Sequence, residues 1–255
     1  MRFAKWHALG NAYLVVERDE GGALTPARVR RLCDVATGIG SDGVVEVLAC
    51  DAAAASIVIW NPDGSTAEMS GNGARIAARW LAERLGVHEV VVDTGGRSVH
   101  ARMLGGLDAE IDVGAVVVGE AEVLVAAGEE IELTPVEVGN PHAVVRRDGA
   151  SRDDLLRLGP EIERHERFPQ RVNVQLVEPT GPNELRVLVW ERGAGETPSS
   201  GSSATAAAAV AVARGWCVSP VTVHLPGGEL VVTLAAGRAT LLGPAEEICR
   251  GETPL

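Results

Sequence analysis

Two stretches decide how this chain folds. The first is Trp60-Asn61-Pro62-Asp63-Gly64, leading on to Ser70-Gly71-Asn72-Gly73-Ala74-Arg75. The second is Trp190-Glu191-Arg192-Gly193, leading on to Ser200-Gly201-Ser202-Ser203-Ala204-Thr205. They stand 130 residues apart in a chain of 255. In each, an apolar run ends in Trp, a polar Gly-rich loop follows, and a Ser-Gly pair opens a helical pattern. The helical patterns end near Gly86 and Gly215, and each gives way to a short strand and a Gly-Gly turn, Gly95-Gly96 and Gly227-Gly228. A repeat at half the chain length predicts two similar domains, each with one such helix.

Ala74 to Leu85 places Ile76, Trp80, Leu81 and Leu85 near helical spacing, with charged residues between them. Its mate, Ala204 to Arg214, is almost entirely Ala and Val. A helix apolar on every side is buried on every side. In a strand-rich domain that implies a sheet wrapped round a central helix. Ala55–Trp60, Glu89–Asp93, Val116–Val118, Glu184–Trp190, Val221–Leu225 and Glu229–Leu234 read as short strands. Pro26–Leu32 and Ser151–Leu158 read as helices opened by the caps Thr25 and Ser151. The expected fold class is α/β (α+β): two pseudo-symmetric domains, each a β-barrel-like sheet around a central helix. The boundary falls near residues 112–120, giving domains 1–115 and 116–243, with 244–255 a candidate to complete the first.

Composition agrees with a globular chain. Hydrophobic residues make up 46%, charged residues 23% and aromatics 3%, so the cores must be aliphatic. The 30 glycines and 13 prolines, about 17% together against a usual ~12%, favour a turn-rich fold over a helical bundle. A net charge of −12 repels nucleic acid and anionic membranes as a whole, while leaving room for a locally positive pocket. The N-terminal stretch Met1-Arg2-Phe3-Ala4-Lys5-Trp6 is not an apolar signal segment. No run reaches the ~18–20 apolar residues of a membrane span. The expectation is a cytoplasmic protein. Cys33, Cys50, Cys217 and Cys249 form no CxxC pair, and each reads as a small buried hydrophobe.

Each repeated loop delivers a polar side chain to the first turn of a helix, where backbone amides lack intrahelical acceptors and carry partial positive charge. Such termini bind carboxylates. Two of them, bearing Ser70 and Ser200, would hold a small dianionic or zwitterionic ligand. The plainer alternative is that both serines only cap their helices, for which serine is favoured. Further polar groups sit in turns: Asn11 after the first strand, Asn140 and His142 in Gly139-Asn140-Pro141-His142, and Asn173 between two valines. Glu191-Arg192 is either a surface ion pair or a carboxylate clamp. There is no phosphate-binding glycine loop, no HExxH and no GxSxG elbow.

These stretches together resemble the diaminopimelate epimerase family nearly end to end. The resemblance rests on His7-Ala8-Leu9-Gly10-Asn11, Gly38-Ile39-Gly40-Ser41-Asp42, Asn61-Pro62-Asp63-Gly64-Ser65, Gly71-Asn72-Gly73-Ala74-Arg75, Gly139-Asn140-Pro141-His142, His165-Glu166-Arg167-Phe168-Pro169, Glu191-Arg192-Gly193-Ala194-Gly195-Glu196-Thr197 and Pro226-Gly227-Gly228. It implies a cofactor-independent epimerase of lysine and cell-wall biosynthesis, often dimeric, that needs no metal. The substrate would lie between two pseudo-symmetric domains. Asn11, Asn61, Asn140, Asn173 and Arg192 would hold it. The amides of Gly71-Asn72 and Gly201-Ser202 would clamp the reacting carboxylate, and His142 and Glu191 would tune the acid–base pair.

The departure from that family lies at the centre of the chemistry. The resemblance implies a cysteine immediately before each Gly-Asn-Gly or Gly-Ser stretch, one thiolate to take the α-proton and one thiol to return it. Here Ser70 and Ser200 hold those places. A serine hydroxyl is roughly five pKa units the weaker acid, on the order of 7 kcal/mol at about 1.4 kcal/mol per unit. Gly43 stands where a glutamine is common in the family, and Ile76 where a further cysteine is common. The leading expectation is an epimerase of LL- and meso-diaminopimelate working through Ser70 and Ser200. Two alternatives stay open. One is a Cys-to-Ser homologue, silent by descent or by engineering, that binds such a ligand without turnover. The other is an isomerase of the wider proline racemase and phenazine isomerase superfamily.

Overall fold

The computed structural model describes residues 1–67 and 70–255. The chain divides into two units, residues 1–112 with 242–255, and residues 113–241. The first contains β1 (Arg2–Ala8), β2 (Asn11–Glu17), α1 (Arg18–Gly21), α2 (Pro26–Cys33), β3 (Val44–Asp51), β4 (Ala54–Trp60), β5 (Thr66–Ala67), α3 (Gly71–Leu85), β6 (Glu89–Asp93) and β7 (Ser98–Gly105). The chain leaves this unit within β8 (Asp108–Ala115). The second contains β9 (Val117–Val118), β10 (Glu122–Ala126), β11 (Glu129–Glu137), β12 (Pro141–Arg146), α4 (Arg152–Glu163), β13 (Asn173–Gly181), β14 (Glu184–Glu191), β15 (Gly195–Thr197), α5 (Gly201–Ala213), β16 (Val221–Leu225) and β17 (Gly228–Ala235). The return to the first unit falls within β18 (Arg238–Pro244), and β19 (Glu246–Glu252) pairs antiparallel with β1.

The repeat read in the sequence is a repeat of strand pairing. In the first unit β2 runs parallel to β3, β3 antiparallel to β4, β4 antiparallel to β5 and parallel to β6, and β6 antiparallel to β7. In the second, β12 through β17 repeat these pairings in the same order and sense. The register repeats as well. Leu14 stands opposite Val44 and Val44 opposite Trp60, just as Ala143 stands opposite Val174 and Val174 opposite Trp190. Parallel neighbours need a crossover connection, which helices supply here: α2 and α3 in one unit, α4 and α5 in the other.

Each sheet wraps the later of its two crossover helices. α3 packs on β1, β2, β4, β6 and β7, and α5 on β9, β11, β12, β13, β14, β16 and β17. The small side chains of α5 let strands approach on all sides, and its buried residues run from Gly201 to Ala211. α3 keeps one exposed edge, with Glu83 and Arg84 in solvent. Among the described residues no helix is long and apolar enough to cross a membrane.

Buried carboxylates pin the two tryptophans at the ends of β4 and β14, Trp60 as the last residue of its strand and Trp190 as the last but one. Trp60 Nε1 donates to Glu46 Oε2 at 3.0 Å, and Trp190 Nε1 donates to Glu163 Oε2 at 2.9 Å. Trp190 also lies on Gly159 of α4, where an added Cβ would come within 2.7 Å of the ring.

Two expectations are corrected. The helix read as Ser151–Leu158 continues to Glu163, through Gly159 and Pro160, which look like a stop signal in sequence. Glycine is retained there because the indole leaves no room for a side chain. The cysteines are not all buried. Cys33 and Cys217 are, but Cys50 and Cys249 are exposed, at the outer end of β3 and on the open strand β19.

Gly159 tests the packing. Helix propensity alone gives Gly159→Ala a gain of about 1 kcal/mol. The contact with Trp190 costs about 1–3 kcal/mol and outweighs it. The variant should unfold at lower urea than the parent, whereas a higher midpoint would mean that the indole does not sit on this residue.

Candidate active site

Ser70 stands at the N-cap of α3 with extended backbone, φ −136° and ψ 120°. Its Oγ accepts from Gly73 N–H at 3.0 Å, so this serine caps its helix. It also lies 3.2 Å from the Tyr13 hydroxyl of β2. Two residues on, Asn72 Nδ2 donates to Asn11 Oδ1 at 3.1 Å, which fixes the Asn11 amide at the start of β2. Asn72 is itself held by Arg75, whose Nη2 donates to Asn72 Oδ1 at 3.2 Å and whose Nε donates to Pro244 O at 3.1 Å. Arg75 is fully buried, its Nη1 has no acceptor among the described residues, and burial pulls its pKa down to about 10 against the pull of Asp108. The guanidinium still stays charged at neutral pH, and it adds positive charge behind the first turn of α3.

Asn61 lies in a loop closed on itself. Its Nδ2 donates to Ser65 Oγ at 3.0 Å, and Gly64 N–H donates to its carbonyl at 3.0 Å. Gly64 is required there. Its φ is +86°, and an added Cβ would meet the Pro26 carbonyl oxygen at 2.6 Å. The loop is thereby pressed on the start of α2.

The second unit gives the equivalent serine a different partner. Ser200 also has N-cap backbone geometry, φ −146° and ψ 120°, but makes no side-chain cap bond. Its Oγ donates instead to Glu191 Oε2 at 3.1 Å, at the end of β14. Burial pushes the Glu191 carboxyl above the usual range, and the Thr197 and Ser200 side chains pull the other way. A carboxylate made more basic by burial, on a serine hydroxyl at a helix N-terminus, is an arrangement for taking that hydroxyl's proton. Gly201 and Ser202 follow in the first turn of α5, as Gly71 and Asn72 do in α3, where N–H groups have no acceptor inside the helix.

His142 is buried in β12 with both ring nitrogens engaged. Gln175 Nε2 donates twice, to His142 Nδ1 at 3.0 Å and to Ser203 Oγ at 3.0 Å. That orientation puts the imidazole proton on Nε2, which donates to Asn140 Oδ1 at 2.8 Å. Burial pulls the His142 pKa down to about 3, assisted by the nearby Arg192 charge. The ring is therefore neutral. It meets neither Glu191 nor Ser200 and acts on Asn140. Asn173 is equally committed, donating to Pro141 O at 3.0 Å and accepting from Arg192 N–H at 3.0 Å, so it ties β12 to the loop after β14. The Arg192 side chain is exposed and reaches Gln170 O at 3.4 Å.

In the first unit the structure brings together Ser70, Asn11, Asn72 and Gly71. In the second it gathers Ser200, Glu191, Asn140, His142, Asn173, Arg192, Gly201 and Ser202. Asn61 is turned onto its own loop. Tyr13, Arg75, Gln175 and Ser203 were not expected. Gln175 carried a usable signal, a fully buried amide in the apolar run Val174-Gln175-Leu176. Arg75 offered another, as a cation on the buried face of a helix.

The state of His142 can be checked directly. Imidazole 15N shifts should report the neutral Nε2–H form from pH 8 down to pH 5. Its folded pKa lies below the unfolded value of about 6.5, so its contribution to stability is full above that value and is lost as pH falls toward 3. Protonation of this ring near pH 6 would contradict the hydrogen-bond assignment.

A family model described as Diaminopimelate epimerase matches residues 3–119 and 134–247. A diaminopimelate epimerase of Halorhodospira halophila is 39% identical over 100% of this chain and 96% of its own length. That of Magnetococcus marinus is 36% identical over 98% of this chain and 96% of its own. Among solved structures, a predicted epimerase from Pseudomonas aeruginosa shares the fold, with a TM-score of 0.78, at 18% identity over 100% of this chain and 99% of its own. On these matches, which run the length of both units, the chain belongs to the diaminopimelate epimerase family.

Proposed function

We propose that this protein interconverts LL- and meso-diaminopimelate by moving the α-proton between two side chains, Ser70 and Ser200, without a cofactor. The observation that carries the reading is the pair of equivalent helix starts in a chain matched along its length by that family, each presenting a serine hydroxyl with a proton-exchanging neighbour at 3.1–3.2 Å. Epimerisation by two bases requires the two hydroxyls to reach opposite faces of one α-carbon, and the reading carries that requirement. With it go two further expectations, a homodimer and a cytoplasmic location.

The roles follow from the chemistry of each group. Glu191 takes the proton of Ser200 as Ser200 Oγ takes the α-hydrogen. First-turn amides of Gly71-Asn72 and Gly201-Ser202 receive the reacting carboxylate, whose charge two helix dipoles favour. Asn11 and Asn140 present amide nitrogens, since their oxygens already accept from Asn72 and His142. Arg192 supplies the positive charge for the distal carboxylate. Asn61 belongs to the same reading as a residue that turns toward ligand from its loop, and Asn173 as the clamp that places Arg192. Closure that keeps water out protects the carbanion-like state.

A second reading is favoured by the missing thiols, namely a pocket that binds the ligand without turning it over. Conversion of LL to meso isomer, resolved by chiral chromatography, separates the two. The epimerase reading expects slow conversion by the parent and loss of at least about 100-fold in Ser70→Ala and in Ser200→Ala. It expects a gain of orders of magnitude in Ser70→Cys/Ser200→Cys, since a thiolate forms at a cost lower by roughly 7 kcal/mol. Tight binding with no conversion by the parent would leave only the binding role. An inactive but folded double-cysteine variant would remove both positions from the α-carbon.

A further inference from the structure

The two serines do not have equivalent partners. In the second unit Ser200 meets the carboxylate of Glu191, the residue after Trp190. In the repeat, the residue after Trp60 is Asn61, which does not ionise and whose amide donates to Ser65 Oγ. Among the described residues, the titratable side chain that meets the Ser70 hydroxyl is instead Tyr13, at 3.2 Å. By strand register Tyr13 occupies the place that His142 holds in the second unit, since Leu14 pairs with Val44 as Ala143 pairs with Val174.

Tyr13 is fixed where it stands. It is 6% exposed, and its ring fills the space beside Gly43 so closely that an added Cβ there would lie 2.5 Å from Cε1 and 3.0 Å from Cδ1. Ser70 Oγ meanwhile accepts from Gly73 N–H at the N-terminus of α3, where partial positive charge favours an anionic oxygen. A phenol ionises near pH 10, well below an aliphatic alcohol, so a phenol behind a serine lets the serine exchange a proton without itself carrying the charge.

Resting on the epimerase reading, we infer that Tyr13 is the proton partner of Ser70, the counterpart in this unit of Glu191 on Ser200. When the carbanion is quenched from this side, its electron pair takes the proton of Ser70 Oγ–H. Ser70 Oγ takes the proton of Tyr13, and the negative charge rests on the phenolate. In the reverse direction the phenolate takes the Ser70 proton as Ser70 Oγ takes the α-hydrogen, and the two electrons of the C–H bond remain on carbon. One turnover leaves Glu191 protonated and Tyr13 ionised, or the converse, and exchange with solvent protons restores both. Tyr13 works through Ser70 and is a positioning and relay residue, not one that touches the substrate.

The test uses the fact that Tyr13 is the single tyrosine of the chain, so the ultraviolet difference band of the phenolate reports this residue alone. Among the described residues, the elements packed round it carry Lys5 and His7 on β1, Glu17 on β2, Glu46 on β3 and Arg75 on α3, with Asp42 just before β3, all of which Ser70→Ala leaves in place. The expected result is a shift of about one pH unit in the Tyr13 titration midpoint in Ser70→Ala. Tyr13→Phe, which keeps the ring over Gly43, should epimerise at least about 100-fold more slowly, bind diaminopimelate as the parent does, and lose the alkaline limb of the rate profile. An unchanged midpoint in Ser70→Ala, or epimerisation by Tyr13→Phe within about threefold of the parent, overturns the assignment while leaving the epimerase reading standing. A parent protein that binds diaminopimelate and does not epimerise it overturns that reading, and this inference with it.

Discussion

A helix enclosed by its own sheet can offer its first-turn amides in only one place, the end from which the chain enters it. That constraint organises both halves of this chain. In each, a strand carries near its end a tryptophan pinned by a buried carboxylate, a glycine-rich loop turns back, and a serine enters the helix with extended backbone. The small side chains of α5 and the buried face of α3 are what allow the enclosure. Unsatisfied amides and partial positive charge are thereby concentrated beside a hydroxyl.

Within this common frame the two halves differ in chemistry. Ser70 is both a helix cap and the neighbour of a phenol, whereas Ser200 gives up capping to donate to Glu191. One serine thus faces a group whose ordinary state is protonated, and the other a group whose ordinary state is a base. The supporting polar residues are mostly turned inward. His142, Gln175 and Asn173 use their hydrogen bonds to hold Asn140 and Arg192, and Arg75 and Asn72 do the same for Asn11. Such networks position a small number of outward-facing groups at the cost of making each member hard to replace.

How much of this was legible in the sequence depends on whether a feature is local. The Trp–loop–Ser-Gly repeat, the cap at Ser151 and the all-apolar α5 are local patterns, and they predicted the architecture. Strand pairing is not local. Nothing in the order of residues places Tyr13 beside Ser70 or Gln175 between His142 and Ser203, because those contacts depend on parallel registers set by a crossover. The α4 helix was cut short for a related reason. Gly159 and Pro160 signal a stop unless one knows that Trp190 needs the space above Gly159. His142 was read as tuning a neighbouring acid–base pair, and only its burial and its two partners make it a neutral support for Asn140.

The proposed epimerisation depends on one step, exchange of the α-proton of an amino acid by a hydroxyl with the right neighbour. It is tested most directly by solvent deuterium. The protein is incubated with LL- or meso-diaminopimelate in D2O and the α-proton signal is followed by NMR, with Ser70→Ala/Ser200→Ala as control. Loss of the α-proton signal above that control is expected, with deuterium appearing at the epimerised centre. A parent protein that binds the same isomers and exchanges no faster than the control would contradict it.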